Sequence, residues 1–155
     1  MELSDLYTEV VTEYSRSQKH RAPLEHPDVT TRGVNPSCGD DISLELKVKD
    51  GTIEKAAVLG DGCAISQASA AIMADLIEGK SVEEAGRLAE LFIGMIKKTV
   101  TDERELEELE DAAVLQNISN MPARVKCATL AWHTLGEALK KLDDAPQEPA
   151  GGLGS

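Results

Sequence analysis

The sequence predicts an α+β fold in which a small antiparallel β-sheet of about three strands packs against a layer of helices. Two observations lead to this expectation. One stretch alternates apolar and polar residues and turns back on itself, and four other stretches space their apolar residues as amphipathic helices do. With 155 residues, 41% of them hydrophobic, the chain is long enough to form one domain with its own core. We place this single domain at residues 1–143.

The first half of the chain is predicted to form one helix and one β-hairpin. Residues 3–17 carry apolar side chains at helical spacing. Residues 20–33 contain two prolines and show no period, so they are expected to form a loop with room for one extended stretch. From Ile42 onward apolar and polar residues alternate, and Asp50-Gly51 is a strong signal for a two-residue hairpin turn. The returning strand is expected over residues 52–59.

The second half is predicted to be helical. A helix is expected over residues 64–77, and the capping box Ser81–Glu84 starts the next one. The acidic residues 101–111 predict a solvated helix with a thin apolar seam. The last helix is expected to start near Pro122, because proline is tolerated in a first turn and an apolar face follows it. The Pro- and Gly-rich residues 144–155 predict a disordered tail.

The charge of the chain argues against two classes of function. Sixteen Lys and Arg residues against 28 Asp and Glu residues give a formal net charge of −12. Such a charge repels phosphate backbones and anionic membrane surfaces, so we expect neither a nucleic-acid partner nor a membrane partner. No stretch reaches the roughly 18 apolar residues of a membrane-spanning helix, and the N-terminus does not resemble a signal peptide. A cytoplasmic location is therefore expected.

The three cysteines are the candidate functional residues, and each lies at a structural transition. Cys38 lies in a turn, Cys63 lies where a Gly-rich turn meets a helix, and Cys127 lies in the first turns of the last helix. The positive end of a helix favours the thiolate, which is both nucleophile and metal ligand. Together with the carboxylate of Asp40, the three thiols supply the four ligands of a tetrahedral Zn²⁺ site or a cluster site. The chain has no C-x-x-C motif, so local spacing alone does not establish the site. Cys63 adjoins an Ala-rich helix and Cys127 borders an apolar stripe, so by residue type alone a core position explains each of them about as well as a ligand role.

Three short motifs resemble one family. Asn35–Asp40 (NPSCGD), Gly60–Ser66 (GDGCAIS) and Lys126–Trp132 (KCATLAW) occur in order and are similar to motifs of the U-type iron–sulfur cluster assembly proteins, specifically the SufU branch. The resemblance covers about residues 6–142 and implies a SufE/NifU-like fold. It implies that Cys38, Asp40, Cys63 and Cys127 are the metal and cluster ligands. It also implies that Cys38 accepts sulfur from a cysteine desulfurase.

Two departures separate the chain from the related IscU branch. Lys126 stands where that branch has a histidine before the last cysteine, and residues 121–126 differ from its Leu-Pro-Pro-Val-Lys chaperone-binding stretch. Residues 99–116 form an extra helical segment relative to IscU that is similar to the SufU insertion. The resemblance therefore favours SufU over IscU and argues against handover through a dedicated Hsp70-type chaperone.

The function expected from this resemblance is sulfur transfer in iron–sulfur cluster assembly. Cys38 would accept persulfide sulfur from a pyridoxal-phosphate-dependent cysteine desulfurase of the SufS type, and a SufBCD-type scaffold complex is a further expected partner. The chain would then be a sulfurtransferase-like acceptor with bound Zn²⁺ rather than a stand-alone enzyme. The alternative is a scaffold that assembles a [2Fe–2S] cluster on the same ligands. An independent hydrolytic zinc enzyme is disfavoured, because such an enzyme keeps one ligand position for water.

Three further residues are interpreted from their positions. Arg124 precedes Cys127 by one helical turn, so its guanidinium could pair with Asp40 or steady a thiolate, and an ordinary surface arginine is the alternative. His20 and His26 lie in a polar loop and are expected to be exposed to solvent.

Overall fold

The computed structural model describes residues 3–144 and confirms the predicted α+β class. Three antiparallel strands form a sheet in the order β1-β2-β3, and helices pack against it. The elements in chain order are α1 (Leu3–Ser15), β1 (Val29–Asn35), β2 (Asp40–Lys49), β3 (Thr52–Asp61), α2 (Ala64–Ile77), α3 (Val82–Ile96), α4 (Glu103–Leu106), a 3₁₀ segment (Glu107–Asn120) and α5 (Pro122–Asp144).

The predicted hairpin is confirmed as β2 and β3. Its turn residues Asp50 and Gly51 both have positive φ, as a type I′ turn requires. Alternate residues of β2 point into the core, starting with Asp40 and continuing through Ile42, Leu44 and Leu46. A buried carboxylate therefore lies at the end of an otherwise apolar row.

The third strand, β1, begins within residues 20–33, which were predicted as a loop with room for one extended stretch, and its bounds were not predicted. Its inward positions are Val29, Thr31, Gly33 and Asn35, which are all buried and mostly not apolar. They face α5, and Gly33 lies so close to that helix that an added Cβ atom would be 2.1 Å from Thr134 Oγ1. This strand is held by close contact and backbone pairing with β2 rather than by large apolar side chains.

The helices α2, α3 and α5 start where the sequence predicts, but the acidic segment differs from its prediction. Ser81 caps α3 by accepting a hydrogen bond from the backbone N–H of Glu84 at 3.0 Å. Residues 101–111 do not form one regular helix: α4 ends at Leu106, and the 3₁₀ segment that follows is itself kinked at Glu110, which has a positive φ of 51°. Leu106 and Leu109 are buried in this segment, so the apolar seam is confirmed.

The core centres on the contact of α5 with α2 and α3. Trp132 is fully buried and stacks on Phe92, with ring centroids 4.2 Å apart. Its indole N–H donates to Ser69 Oγ at 2.8 Å, and this hydroxyl donates to the backbone carbonyl of Ala128 at 2.6 Å. These two hydrogen bonds connect Ser69 of α2 to α5, and one of them ends at Ala128, the residue after Cys127.

Two further expectations can be compared with the structure. His26 is exposed, but His20 is buried, with Nδ1 3.1 Å from the carbonyl of Ala56 and Nε2 3.4 Å from a carboxylate oxygen of Asp75. The loop folds back onto β3, and this contact removes His20 from solvent. Asp144, the first residue of the predicted tail, is still helical, and residues 145–155 lie outside the described part of the chain. None of the described helices is both long and apolar enough to cross a membrane.

Candidate metal centre

The first part of the candidate site is the turn between β1 and β2. Asn35 and Asp40 are paired across the two strands, and the four residues between them form the turn that carries Cys38. The backbone N–H of Cys38 donates to the carbonyl of Asn35 at 3.2 Å. The side chain of Cys38 is exposed, so its thiol is presented at the surface.

The carboxylate of Asp40 lies just beneath this turn and is fully buried. Its Oδ1 accepts a hydrogen bond from the backbone N–H of Cys63 at 2.9 Å, and its Oδ2 accepts one from Asn35 Nδ2 at 3.4 Å. Within residues 3–144, no Lys, Arg or His side chain forms an ion pair with it. A buried carboxylate without a counter-charge is costly, and a bound cation would supply that charge.

Cys63 is the N-cap residue of α2. Its Sγ accepts a hydrogen bond from the backbone N–H of Ser66 at 3.4 Å and so satisfies one of the free N–H groups of the first helical turn. The preceding residue must be glycine, because a Cβ atom on Gly62 would lie 2.8 Å from Asp40 Oδ1 and 3.0 Å from Ser66 Oγ. Because Gly62 has no side chain, the start of α2 can pack directly against the carboxylate of Asp40.

Cys127 lies in the second turn of α5 and is 3% exposed. Its Sγ is 3.1 Å from Cys38 Sγ and 3.9 Å from Asn35 Nδ2. Burial raises the pKa of the Cys127 thiol well above its ordinary value, and the neighbouring thiols of Cys38 and Cys63 and the carboxylate of Asp40 raise it further. Without a cation, Cys127 is therefore held in its neutral thiol form at physiological pH.

The structure brings three of the four predicted ligands into one group. The ligand atoms of Cys38, Asp40 and Cys127 all lie within 4.8 Å of one another. The Cys63 thiol is engaged as the cap of α2, but it lines the same cavity of about 560 Å³ as the other two thiols. Residues of α1, including Val11, form a further wall of this cavity.

Arg124 also lines the cavity but does not form the ion pair considered from the sequence. Its side chain is exposed, and among the described residues Asp40 has hydrogen bonds only from Asn35 and Cys63. Arg124 lies one helical turn before Cys127 and lines the same cavity as the three thiols.

Asn35 belongs to the site although the sequence did not single it out as a functional residue. Its amide nitrogen lies within hydrogen-bonding distance of both Asp40 and Cys127. The signal that could have identified it is the strand itself: once Val29 and Thr31 are placed on the inward face, Asn35 falls on that face too.

The residues at this position fit a thiophilic metal. Thiolate ligands select zinc or iron–sulfur clusters over magnesium or calcium, and a single carboxylate is compatible with zinc. The uncompensated carboxylate of Asp40 and the buried hydroxyl of Ser66, which has no hydrogen-bond partner within the described part of the chain, both support a bound group here.

Comparison with known proteins gives consistent results. The family model for the NifU-like N-terminal domain matches residues 6–128. The iron–sulfur cluster assembly scaffold protein IscU of Thermotoga maritima is 44% identical over 137 residues, which cover 88% of this chain and 94% of that protein. The zinc-dependent sulfurtransferase SufU of Bacillus subtilis is 36% identical over 140 residues, covering 90% of this chain and 92% of that protein.

A solved structure agrees with the fold. The crystal structure of a protein from Fervidobacterium islandicum, described as a candidate iron–sulfur cluster assembly scaffold of the SUF system, superposes with a TM-score of 0.79. The two sequences are 33% identical, and the match covers 87% of this chain and 97% of that one. The predicted resemblance and the predicted fold class are both confirmed.

Proposed function

Because the chain belongs to the family of NifU-like N-terminal domains, which includes IscU and SufU, we propose that it acts in iron–sulfur cluster assembly as a sulfur acceptor. In this proposal Cys38 takes persulfide sulfur from a pyridoxal-phosphate-dependent cysteine desulfurase of the SufS type. The observation that carries the proposal is the exposed thiol of Cys38 beside a buried Asp40 and a buried Cys127.

The proposed site holds Zn²⁺ through Cys38, Asp40, Cys63 and Cys127. When bound, the ion supplies positive charge that keeps the thiols ionised near neutral pH. This matters most for Cys127, because the protein alone raises the pKa of its thiol. The relative from Bacillus subtilis is named as zinc-dependent, which supports the choice of metal.

The transfer itself is a thiol exchange at Cys38. The thiolate of Cys38 attacks the outer sulfur of the desulfurase persulfide, so a new S–S bond forms on Cys38 and the donor S–S bond breaks. The donor cysteine leaves as a thiolate and takes up a proton. The transferred sulfur keeps its oxidation state, so the step needs no oxidant or reductant.

The surface around Cys38 suits a protein donor. Val34 is 45% exposed, and Pro36, Ser37 and Gly39 are exposed on the same turn. An exposed turn can present a reactive thiol to another protein, because loop residues on a rigid sheet are accessible. We propose that the desulfurase docks here, that a SufBCD-type complex is the later recipient, and that both steps take place in the cytoplasm.

A second function is favoured by the relative from Thermotoga maritima, which is named a cluster assembly scaffold. In that case the same four residues would hold a [2Fe–2S] cluster built on the protein and passed to other proteins. Metal analysis and the visible absorption spectrum of freshly purified protein distinguish the two, because a cluster absorbs in the visible and zinc does not.

Sulfur transfer to Cys38 is tested by mixing the protein with a SufS-type desulfurase and cysteine. Mass spectrometry of peptides should find one added sulfur on Cys38, and Cys38→Ser should abolish both this label and the increase in desulfurase rate. Lys49→Ala is the control, because Lys49 is exposed at the opposite end of β2 from Asp40, away from the proposed docking surface, and should leave both readouts unchanged. A label on Cys63 or Cys127, with Cys38→Ser still active, would exclude the assignment.

A further inference from the structure

One buried amide connects the parts of the candidate metal centre. Asn35 is 6% exposed and ends β1. Its Nδ2 lies 3.4 Å from Asp40 Oδ2 and 3.9 Å from Cys127 Sγ, and its backbone carbonyl accepts from the N–H of Cys38 at 3.2 Å. A single residue thus contacts three of the four proposed ligand residues, one of which lies 92 positions away along the chain.

The four proposed ligands differ in how they are held. The sulfur of Cys63 is held by the backbone N–H of Ser66, and both oxygens of Asp40 accept N–H donors. The sulfur of Cys127 faces the amide of Asn35. The sulfur of Cys38 has a hydrogen bond only with Cys127 Sγ among the described residues, and its side chain is exposed.

We propose that Asn35 is a positioning residue that holds Asp40 and Cys127 at the centre and thereby leaves Cys38 as the ligand that is released. This inference rests on the proposed function, in which one thiol must leave the metal to accept sulfur. Hydrogen bonds to a ligand orient it and reduce its reactivity, and their loss typically lowers metal affinity or activity. Cys38 has no such N–H donor on its sulfur among the described residues.

The chemistry of asparagine suits this position. Its amide carries two N–H donors, one for the carboxylate and one for the sulfur. An aspartate here would place a second negative charge beside Asp40, and a serine hydroxyl would be too short to reach both partners. Because the amide is neutral, it can donate to both groups without replacing the metal as their counter-charge.

The reactivity of the individual cysteines tests the proposal without a desulfurase. The protein with one equivalent of zinc is treated with iodoacetamide, and the alkylation rate of each cysteine is followed by mass spectrometry of peptides. In the wild type Cys38 should react fastest. In Asn35→Ala the rate at Cys127 should rise about tenfold, as expected for one lost hydrogen bond, while the rate at Cys63 stays the same because Ser66 still holds it.

Two further variants make the result decisive. Thr31→Val is the matched control, since Thr31 lies on the same buried face of β1 and its hydroxyl has no partner among the described residues. It should leave all three rates unchanged. If Asn35→Ala does not fold, Asn35→Ser removes the same amide with a smaller loss of polarity. The ratio of the alkylation rate at Cys127 to that at Cys63 is then measured in Asn35→Ser.

The proposal is overturned if the three rates rise together in the Asn35 variant, because a structural role alone would open the whole site. It is also overturned if the ratio of the alkylation rate at Cys127 to that at Cys63 is the same in the Asn35 variant as in the wild type. Failure of Cys38 to accept sulfur would leave this pattern of alkylation unaffected, so the two hypotheses can fail separately.

Discussion

Asp40→Asn is expected to change the stability of the protein in opposite directions without and with zinc. The substitution keeps the shape of a fully buried side chain and removes its charge. Two donors point at the carboxylate, the N–H of Cys63 and the amide of Asn35. The amide of an asparagine offers one acceptor oxygen, so one donor is left buried without a partner. That loss costs about 1–3 kcal/mol.

In the metal-free protein, relief of a buried charge opposes this loss and outweighs it. The carboxylate of Asp40 forms no ion pair within the described part of the chain, and an unpaired buried charge costs several kcal/mol even after relaxation. Removing the charge should therefore raise the melting temperature of the metal-free protein. For a chain of this length each kcal/mol corresponds to about 2–4 °C.

With zinc bound, Asp40→Asn should lower the stability of the protein instead of raising it, because an amide oxygen does not supply the negative charge that the cation needs. Structural zinc sites contribute roughly 10–16 kcal/mol through four ligands. The loss of one anionic ligand should then cost roughly 3 kcal/mol of the zinc-dependent stability. The melting temperature of the zinc-loaded variant should fall by about 6–12 °C relative to the zinc-loaded wild type.

Thermal melting of both proteins, in EDTA and with one equivalent of zinc, measures all four transitions. The single tryptophan of the sequence is the buried Trp132, so its fluorescence reports on the core. Asp41→Asn is the matched control: Asp41 is the next residue of β2, points outward and pairs with Arg32. Its shift should be the same in both conditions. An equal shift for Asp40→Asn in EDTA and in zinc would refute the reasoning.

Two other substitutions test the packing that supports the site. Ser69→Ala should lower the free energy of unfolding in urea by about 1–3 kcal/mol, because it leaves the indole N–H of Trp132 buried without an acceptor. Ser66→Ala, which removes a hydroxyl without a partner in the described residues, is its control in metal-free protein, and an equal loss would contradict the prediction. Gly33→Ala should cost about 1–3 kcal/mol through overlap with Thr134. Adding Thr134→Ala should recover most of this cost, and no recovery would exclude the proposed clash.

Part of the fold could be predicted because its signal is local. The hairpin follows from alternating residues and from Asp50-Gly51, and the start of α3 follows from the Ser81 cap. The strand β1 could not be predicted in this way, because its inward positions include Thr31 and Gly33 and its stability comes from neighbours distant in sequence.

The site could be predicted in its residue types but not in its arrangement. Three cysteines and Asp40 predict a thiol-rich metal site, and the motifs around them indicate the family. The link from Asn35 to Cys127 spans 92 positions and exists only once α5 packs on β1. The burial of His20 depends in the same way on a loop folding back onto β3, so neither could be predicted from local sequence.

The distance between Cys38 and Cys127 along the chain has a consequence for biosynthesis. Cys127 follows Cys38 by 89 residues, and at about 5–20 residues per second a ribosome needs roughly 4–18 s to translate that interval. Throughout this time the nascent chain carries Cys38, Asp40 and soon Cys63, but not the helix that supplies the last thiol. A metal held by all four residues can therefore be inserted only after α5 has left the ribosome.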